Sequence, residues 1–332
     1  MDPNILRHLR CPLCGRPLAA MPPAAAMPPA AATALRCPTG HSFDLARQGY
    51  VNLTVGRLPH SGDTAPMVAA RDEFLAAGHY DLISAALADA ARAATEHGPA
   101  TEHRPMTRYE PATERRPATR HEPATERRPA TEHGPATYPG LVVDAGAGTG
   151  RHLAAVLDAL PAAVGLALDV SKPALRRAAR AHPRAGAALC DTWRPLPLAD
   201  GSASLLLNVF APRNGPEFRR VLHPAGALLT VTPTADHLGE LIERLGLLRV
   251  DPDKDARVAG SLAGYFELAG SAVHRRPLRL TRPEVRTLVG MGPSAWHTDP
   301  DRLDDRLDGL PEPVTVTAAV RVSAYRRSLK SQ

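Results

Sequence analysis

Ten residues, Leu141-Val142-Val143-Asp144-Ala145-Gly146-Ala147-Gly148-Thr149-Gly150, set the strongest limit on what this chain can fold into. An apolar run ends in a carboxylate, glycines follow at alternate positions, and a helix-like segment begins at Arg151. That order is a buried strand, a tight turn and a helix N-terminus. Glycine is required where the backbone must take positive φ or approach another group without a Cβ in the way. The dinucleotide-binding spacing, G-x-G-x-x-G, is not met. The third glycine comes one residue early, and Arg151 stands where the last glycine would be needed. A glycine-rich turn without a ligand is the plainer alternative, and two further strand ends weigh against it.

Asp144-x-Gly146-x-Gly148-Thr149-Gly150 resembles the first motif of S-adenosylmethionine-dependent methyltransferases. In that motif the turn lies against the amino-acid end of the cofactor. Ala163 to Leu168 form a second apolar run, closed by Asp169. A carboxylate there can accept both ribose hydroxyls of an adenosine, as in nucleotide-binding βαβ units. The third run, Ala187 to Cys190, is closed by Asp191. In such methyltransferases this position faces the adenine amino group. Strand ends of an open α/β sheet converge on the ligand crevice, so three acidic ends in succession belong to one site.

The chain has 332 residues, enough for a large core, and a formal charge of +6. The excess sits outside the low-complexity stretch from Thr95 to Thr137, where seven arginines are offset by seven glutamates. A basic folded surface suits a nucleic-acid partner, and equally a solvated face. No run of about 18 apolar residues is present, and Met1-Asp2-Pro3-Asn4 does not open a secretory signal. The expected location is the cytoplasm, with no membrane partner.

Cys11-Pro12-Leu13-Cys14 and Cys37-Pro38-Thr39-Gly40-His41 supply three thiols and an imidazole in two turns. Cys-x2-Cys with a later Cys-x3-His is the donor set of a closed structural zinc site, Cys11, Cys14, Cys37 and His41. A disulfide is the competing use, disfavoured in a cytosolic chain. The Pro/Ala tract between the pairs reads as a loop. Cys190 reads as a small core residue.

The zinc pairs, "HSFDLARQGYVNL" and "ARDEFLAAGHYDL" together resemble the bacterial 23S rRNA (guanine-N1)-methyltransferases, a family with a branch conferring resistance to tylosin-type macrolides in actinobacteria. The likeness continues through "LALDVSKPAL", "LPLADGSASLLLNVFAP", "VLHPAGALLTVTPTADHLGEL" and "LVGMGPSAWH". It implies a class I methyltransferase fold, Rossmann-like with a mostly parallel sheet, preceded by a small zinc-ribbon-like domain. It implies S-adenosylmethionine and structural zinc as cofactors, a 23S rRNA hairpin as partner, and a homodimer. It also adds Tyr80 and His237 to the cofactor residues, through family residues that contact the cofactor. No residue is assigned as general base.

The expected organisation is a zinc module over 1–57, connecting helices over 58–94, an insert over 95–139 and the methyltransferase domain over 140–332. The insert carries proline at every sixth position from Pro99 to Pro135 and almost nothing apolar to bury, which forbids helix and solenoid alike. In the last domain strands and helices alternate, implying a parallel sheet. Helices are expected over 151–160, 172–181, 216–222 and 236–245, and strands over 205–210 and 227–232. Residues 315–325 alternate as an edge strand. Asn208 and Phe210 end the fourth strand, where a base to be modified would lie, and Trp296 sits in a candidate loop above it. Two other functions fit parts of this pattern. A small-molecule methyltransferase has no need of the zinc module, and a zinc-bearing RNA-binding protein with a degenerate domain has no need of intact acidic strand ends.

Overall fold

The computed structural model describes residues 1–21, 32–58, 62–96, 140–247, 254–292, 295 and 300–328. The hexapeptide repeat from 97 onward, most of the Pro/Ala tract and Trp296 lie outside the described residues. The chain opens with α1 (Pro3–Leu6), β1 (Ala19–Met21), β2 (Ala34–Arg36), β3 (Ser42–Asp44) and β4 (Tyr50–Asn52). Two helices follow, α2 (Ala65–Ala76) and α3 (Asp81–Glu96). Then β and α alternate: β5 (Leu141–Ala145), α4 (Arg151–Ala159), β6 (Val164–Asp169), α5 (Lys172–Ala178), β7 (Ala185–Leu189), β8 (Ala203–Val209), α6 (Gly215–Val221) and β9 (Leu222–Pro233). The chain continues with α7 (Gly239–Leu245), α8 (Lys254–Leu262), β10 (Phe266–Leu280), α9 (Arg282–Gly290), α10 (Pro300–Asp308) and β11 (Val314–Arg327).

Eight strands form one sheet in the order β10-β11-β9-β8-β5-β6-β7-β4. All pairs from β9 to β4 are parallel, and β11 runs antiparallel to both β9 and β10. The chain winds outward from β5 through β6 to β7, then returns across the centre to β8 and β9. The strand order therefore reverses between β5 and β8, and in open α/β sheets ligands bind beyond the carboxyl ends of the strands at such a point. β1, β2 and β3 make a separate small antiparallel sheet.

Both faces of the large sheet are covered. β5 is buried at every position, which explains its unbroken apolar run. One face carries Val142, Leu205 and Leu207 against α2 to α5, α7, α9 and α10. On α3, Ile83, Leu87 and Ala91 recur at helical spacing and are buried toward it. The other face carries Val143, Leu166 and Leu206. That core also takes in Ile5, Leu9, Cys11, Leu35 and Cys37, so the N-terminal segment closes the second layer. Backbone bonds fasten it there, Arg10 N donating to Pro197 O at 2.9 Å and Ala199 N to His8 O at 2.9 Å.

Two expectations change here. Residues 315–325 are not an edge strand: β11 lies between β9 and β10. Alternation reports which faces a strand presents, and says nothing of how many neighbours it has. The edge is β10, whose Arg275, Arg276, Pro277 and Arg279 disguise a strand; proline is tolerated at an edge because a ladder bond is missing there already. The helix expected from Asp236 begins at Gly239. The chain is held back by Leu238, which sits at φ 56° and donates its N–H to Thr317 O on β11 at 2.8 Å.

Candidate cofactor site and zinc cluster

The turn after β5 is built by three glycines in the left-handed region, Gly146 at φ 86°, Gly148 at 55° and Gly150 at 79°. Two of them also lack room for a side chain. A Cβ on Gly146 would lie 2.4 Å from Ala211 Cβ, and one on Gly150 would lie 2.9 Å from Ala178 Cα. The turn is tied to the next strand by Gly146 N and Ala147 N, which donate to Leu168 O at 2.8 and 3.0 Å. Thr149 is buried between the glycines.

Asp169, at the end of β6, faces this turn. One carboxylate oxygen accepts Gly148 N at 2.8 Å and the other accepts Ser171 N at 2.8 Å. A carboxylate offers about four acceptor positions, so two remain for the hydroxyls of a ribose. Asp191 follows β7 and accepts Trp193 N at 3.0 Å, with Arg194 beside it. Cys190 N donates to Asp169 O at 3.1 Å, which sets the third strand end next to the second.

Asp144 is 1% exposed, and its Oδ1 has no hydrogen-bond partner among the described residues. A buried acceptor left unmade is costly, and a positively charged ligand group at the turn would relieve it. Burial, and secondarily the charge of Asp169, raises its pKa to about 8. The folded chain then keeps a proton that the unfolded chain releases near the ordinary 3.8. The folded state binds more protons between those values, so stability falls as pH rises through that window. Asp144→Asn removes the titration. Thermal unfolding should find the variant more stable than the parent at pH 8 and nearly equal to it at pH 4; equal melting at both would refute the assignment.

Tyr80, at the junction of α2 and α3, and His237, after β9, meet in the buried interior with Tyr80 Oη and His237 Nε2 3.1 Å apart. Ala319 N donates to His237 Nδ1 at 3.1 Å. Nδ1 is thus an acceptor, so the neutral ring carries its proton on Nε2 and donates to the tyrosine oxygen. Phe210 follows β8 with φ 51° and is 43% exposed, its ring centroid 6.1 Å from that of His237. Since Ala211 packs against Gly146, the loop after β8 joins the tyrosine–histidine pair to the glycine turn. Asn208 is fully buried: its Nδ2 donates to Ala145 O at 3.1 Å and Pro212 O at 2.8 Å, and its Oδ1 has no hydrogen-bond partner among the described residues. It fixes the loop that carries Phe210.

Cys11, Cys14, Cys37 and His41 present donor atoms that all lie within 4.8 Å of one another. Cys14 Sγ to Cys37 Sγ is 3.6 Å, and His41 Nδ1 lies 3.4 Å from both Cys11 Sγ and Cys37 Sγ. Zinc bonds of about 2.3 Å to sulfur and 2.0–2.1 Å to nitrogen put tetrahedral ligands roughly 3.5–3.8 Å apart, so the cluster fits that ion. Thr39 was not foreseen: its hydroxyl lies 3.1 Å from Cys14 Sγ and 3.0 Å from Cys37 Sγ. Arg71 was also missed. It reaches from α2 to the glycine turn, paired with Asp63 and donating through Nη2 to Met291 O at 2.8 Å.

The reversal of strand order between β5 and β8, the glycine turn and the carboxylates on successive strand ends define a class I S-adenosylmethionine-dependent methyltransferase, here joined to an N-terminal zinc ribbon. A family described as "RlmA, N-terminal", a zinc ribbon, matches residues 9–57. A Micromonospora griseorubida protein, provisionally named 23S rRNA (guanine-N(1)-)-methyltransferase, is 66% identical over 98% of this chain and 99% of its own. The 23S rRNA (guanine(748)-N(1))-methyltransferase of Streptomyces fradiae is 44% identical over 98% of this chain and 99% of its own. A solved S-adenosylmethionine-dependent methyltransferase from Anabaena variabilis covers 57% of this chain and 77% of its own, with 15% identity and a TM-score of 0.39. The chain belongs to the 23S rRNA (guanine-N1)-methyltransferase family.

Proposed function

We propose that this chain methylates N1 of a guanine in a hairpin loop of 23S rRNA, using S-adenosylmethionine. The observation that carries the reading is 66% and 44% identity, over 98% of the chain, to two relatives named for that reaction; the carboxylates at three successive strand ends support it. Asp144, Gly146, Gly148, Thr149, Gly150, Asp169, Asp191, Tyr80 and His237 line the cofactor pocket. The zinc ribbon grips the RNA. The hairpin target, a homodimer and a place in the cytoplasm with the ribosome come from the family likeness. No helix among the described residues is long and apolar enough to cross a membrane.

The cofactor, when bound, supplies a methyl group already activated on a sulfonium. The protein's task is then to align guanine N1 with that methyl and to let the N1 proton leave. Holding two reactants in line can contribute roughly 7–11 kcal/mol. Phe210 suits this work, because an exposed ring at the switch point can stack on an extruded base. His237 is not the proton acceptor: Nδ1 is filled by Ala319 N–H and Nε2 bears the proton. Besides lining the pocket, it orients Tyr80.

Incubation with labelled S-adenosylmethionine and unmodified 23S rRNA, followed by primer extension, tests the reading. N1-methylguanine blocks the Watson–Crick edge, so a single strong stop at a hairpin-loop guanine is expected. The guanine numbered 748 in the Streptomyces fradiae relative's name is the position to inspect first. Bound cofactor with no label in RNA would favour a small-molecule substrate instead.

A further inference from the structure

We infer that Arg71 is the anchor for the α-carboxylate of the bound cofactor, held over the glycine turn by Asp63 and the Met291 carbonyl. The inference rests on the cofactor reading above and assigns a residue that the first motif does not contain. Three observations carry it. The side chain that Gly148 lacks would point at Arg71, with its Cβ 3.4 Å from Arg71 Nη1 and 3.7 Å from Arg71 Cδ. Arg71 therefore covers the space that the absence of a side chain opens at the turn. Its orientation is fixed from two sides, by Asp63 on Nη1 and by Met291 O on Nη2. Asp63 is itself tied to the cofactor strands, since Ser171 Oγ donates to Asp63 O at 2.7 Å. Ser171 in turn gives its N–H to Asp169.

A guanidinium has five N–H donors. The contacts to Asp63 and Met291 use two, so donors remain for a carboxylate, which the fork of arginine can hold in two-point fashion. The amino-acid end of the cofactor carries one positive and one negative group. Among the described residues around this turn, Asp144 Oδ1 and Asn208 Oδ1 are buried acceptors without a partner, and Arg71 is a cation held in a fixed orientation. Asp144 suits the ammonium, whose arrival would drive its proton to solvent, and Arg71 suits the carboxylate. Burial raises the pKa of Asp169, and the charge of Arg71 acts against that rise; burial, then the charges of Arg151 and Arg71, lower that of His152.

A purely structural arginine, clamping α2 to the end of α9, would affect every ligand alike. The test compares S-adenosylhomocysteine with 5′-methylthioadenosine, which keeps the adenosine and sulfur and lacks the amino-acid end, and with decarboxylated S-adenosylmethionine, which keeps the ammonium alone. Affinities are measured by calorimetry on the full chain. Arg71→Ala is expected to weaken S-adenosylhomocysteine roughly 10- to 100-fold, as for loss of a charge-assisted bond. The other two ligands should stay within about twofold. Arg71→Lys, which keeps the charge without the fork, should recover part of the loss. Equal losses for all three ligands, or none for S-adenosylhomocysteine, would overturn the assignment. If the unaltered chain bound none of them, the cofactor reading itself would fall, and this inference with it.

Discussion

Asp169→Ala is expected to weaken S-adenosylmethionine binding by at least roughly 100-fold, with little change in melting temperature. Each hydrogen bond from a ribose hydroxyl to an ionised carboxylate contributes about 1.5–3 kcal/mol, and about 1.4 kcal/mol is tenfold in affinity. Two such bonds exceed the predicted loss, and partial replacement by water accounts for the lower figure. The substitution also releases Gly148 N and Ser171 N, both held at 2.8 Å. Those donors border the ligand crevice and can turn to water, so the fold itself is spared. Asp169→Asn keeps one oxygen acceptor and should fall between, at roughly tenfold. Equilibrium dialysis with labelled cofactor measures all three proteins. Unchanged affinity in the alanine variant would remove Asp169 from the pocket, and with it the argument that the acidic strand ends form one site.

That argument was available in the sequence because β5, β6 and β7 are covered on both faces. Such strands are apolar throughout, and the first polar residue marks where each leaves the core. Asp144, Asp169 and Asp191 stand out for that reason. The zinc ligands were equally open to view, since each pair is local and the donors are chemically distinct. Other parts were hidden by physics that spacing does not record. β10 exposes one long edge and carries arginines and a proline, so few of its residues are buried. β11 alternates as an edge strand would, yet it has two neighbours. Arg71 gains its meaning from Met291, 220 positions away. Phe210 gains its exposure from a positive φ that no side-chain pattern announces. Asn208, placed correctly at a strand end, proved to be a strut bonded to Ala145 O and Pro212 O. A strand-end position fixes where a residue sits, and the fold decides which way its side chain turns.

Removing zinc is expected to melt the described fold as one unit, in place of freeing an N-terminal appendage. Cys11 is 2% exposed and Cys37 4%, and both lie in the core that contains Leu166, Leu168 and Val143 of the central strands. Beyond the cluster, β4 pairs with β7 at the end of the large sheet, and Leu53 N donates to Leu189 O at 2.9 Å. A disordered ribbon would therefore uncover one face of the sheet that carries the proposed cofactor site. The magnitudes point the same way. Structural zinc contributes about 10–16 kcal/mol in isolated finger peptides, whereas a whole domain is stable by about 5–15 kcal/mol. Even partial coupling would consume most of the margin. Chelation, or Cys37→Ser, should then lower the melting temperature of the single transition by at least roughly 10 °C, and cofactor affinity should fall with it. Cys190→Ala supplies the contrast. It removes a buried thiol from the same core, outside the metal cluster. It should cost about 1–2 kcal/mol and leave bound zinc unchanged. Calorimetry with and without chelator, alongside a zinc assay, decides the matter. An early, separate transition that left the main melting temperature and cofactor binding intact would make the ribbon an independent module, whose burial against the sheet adds nothing to the stability of the catalytic domain.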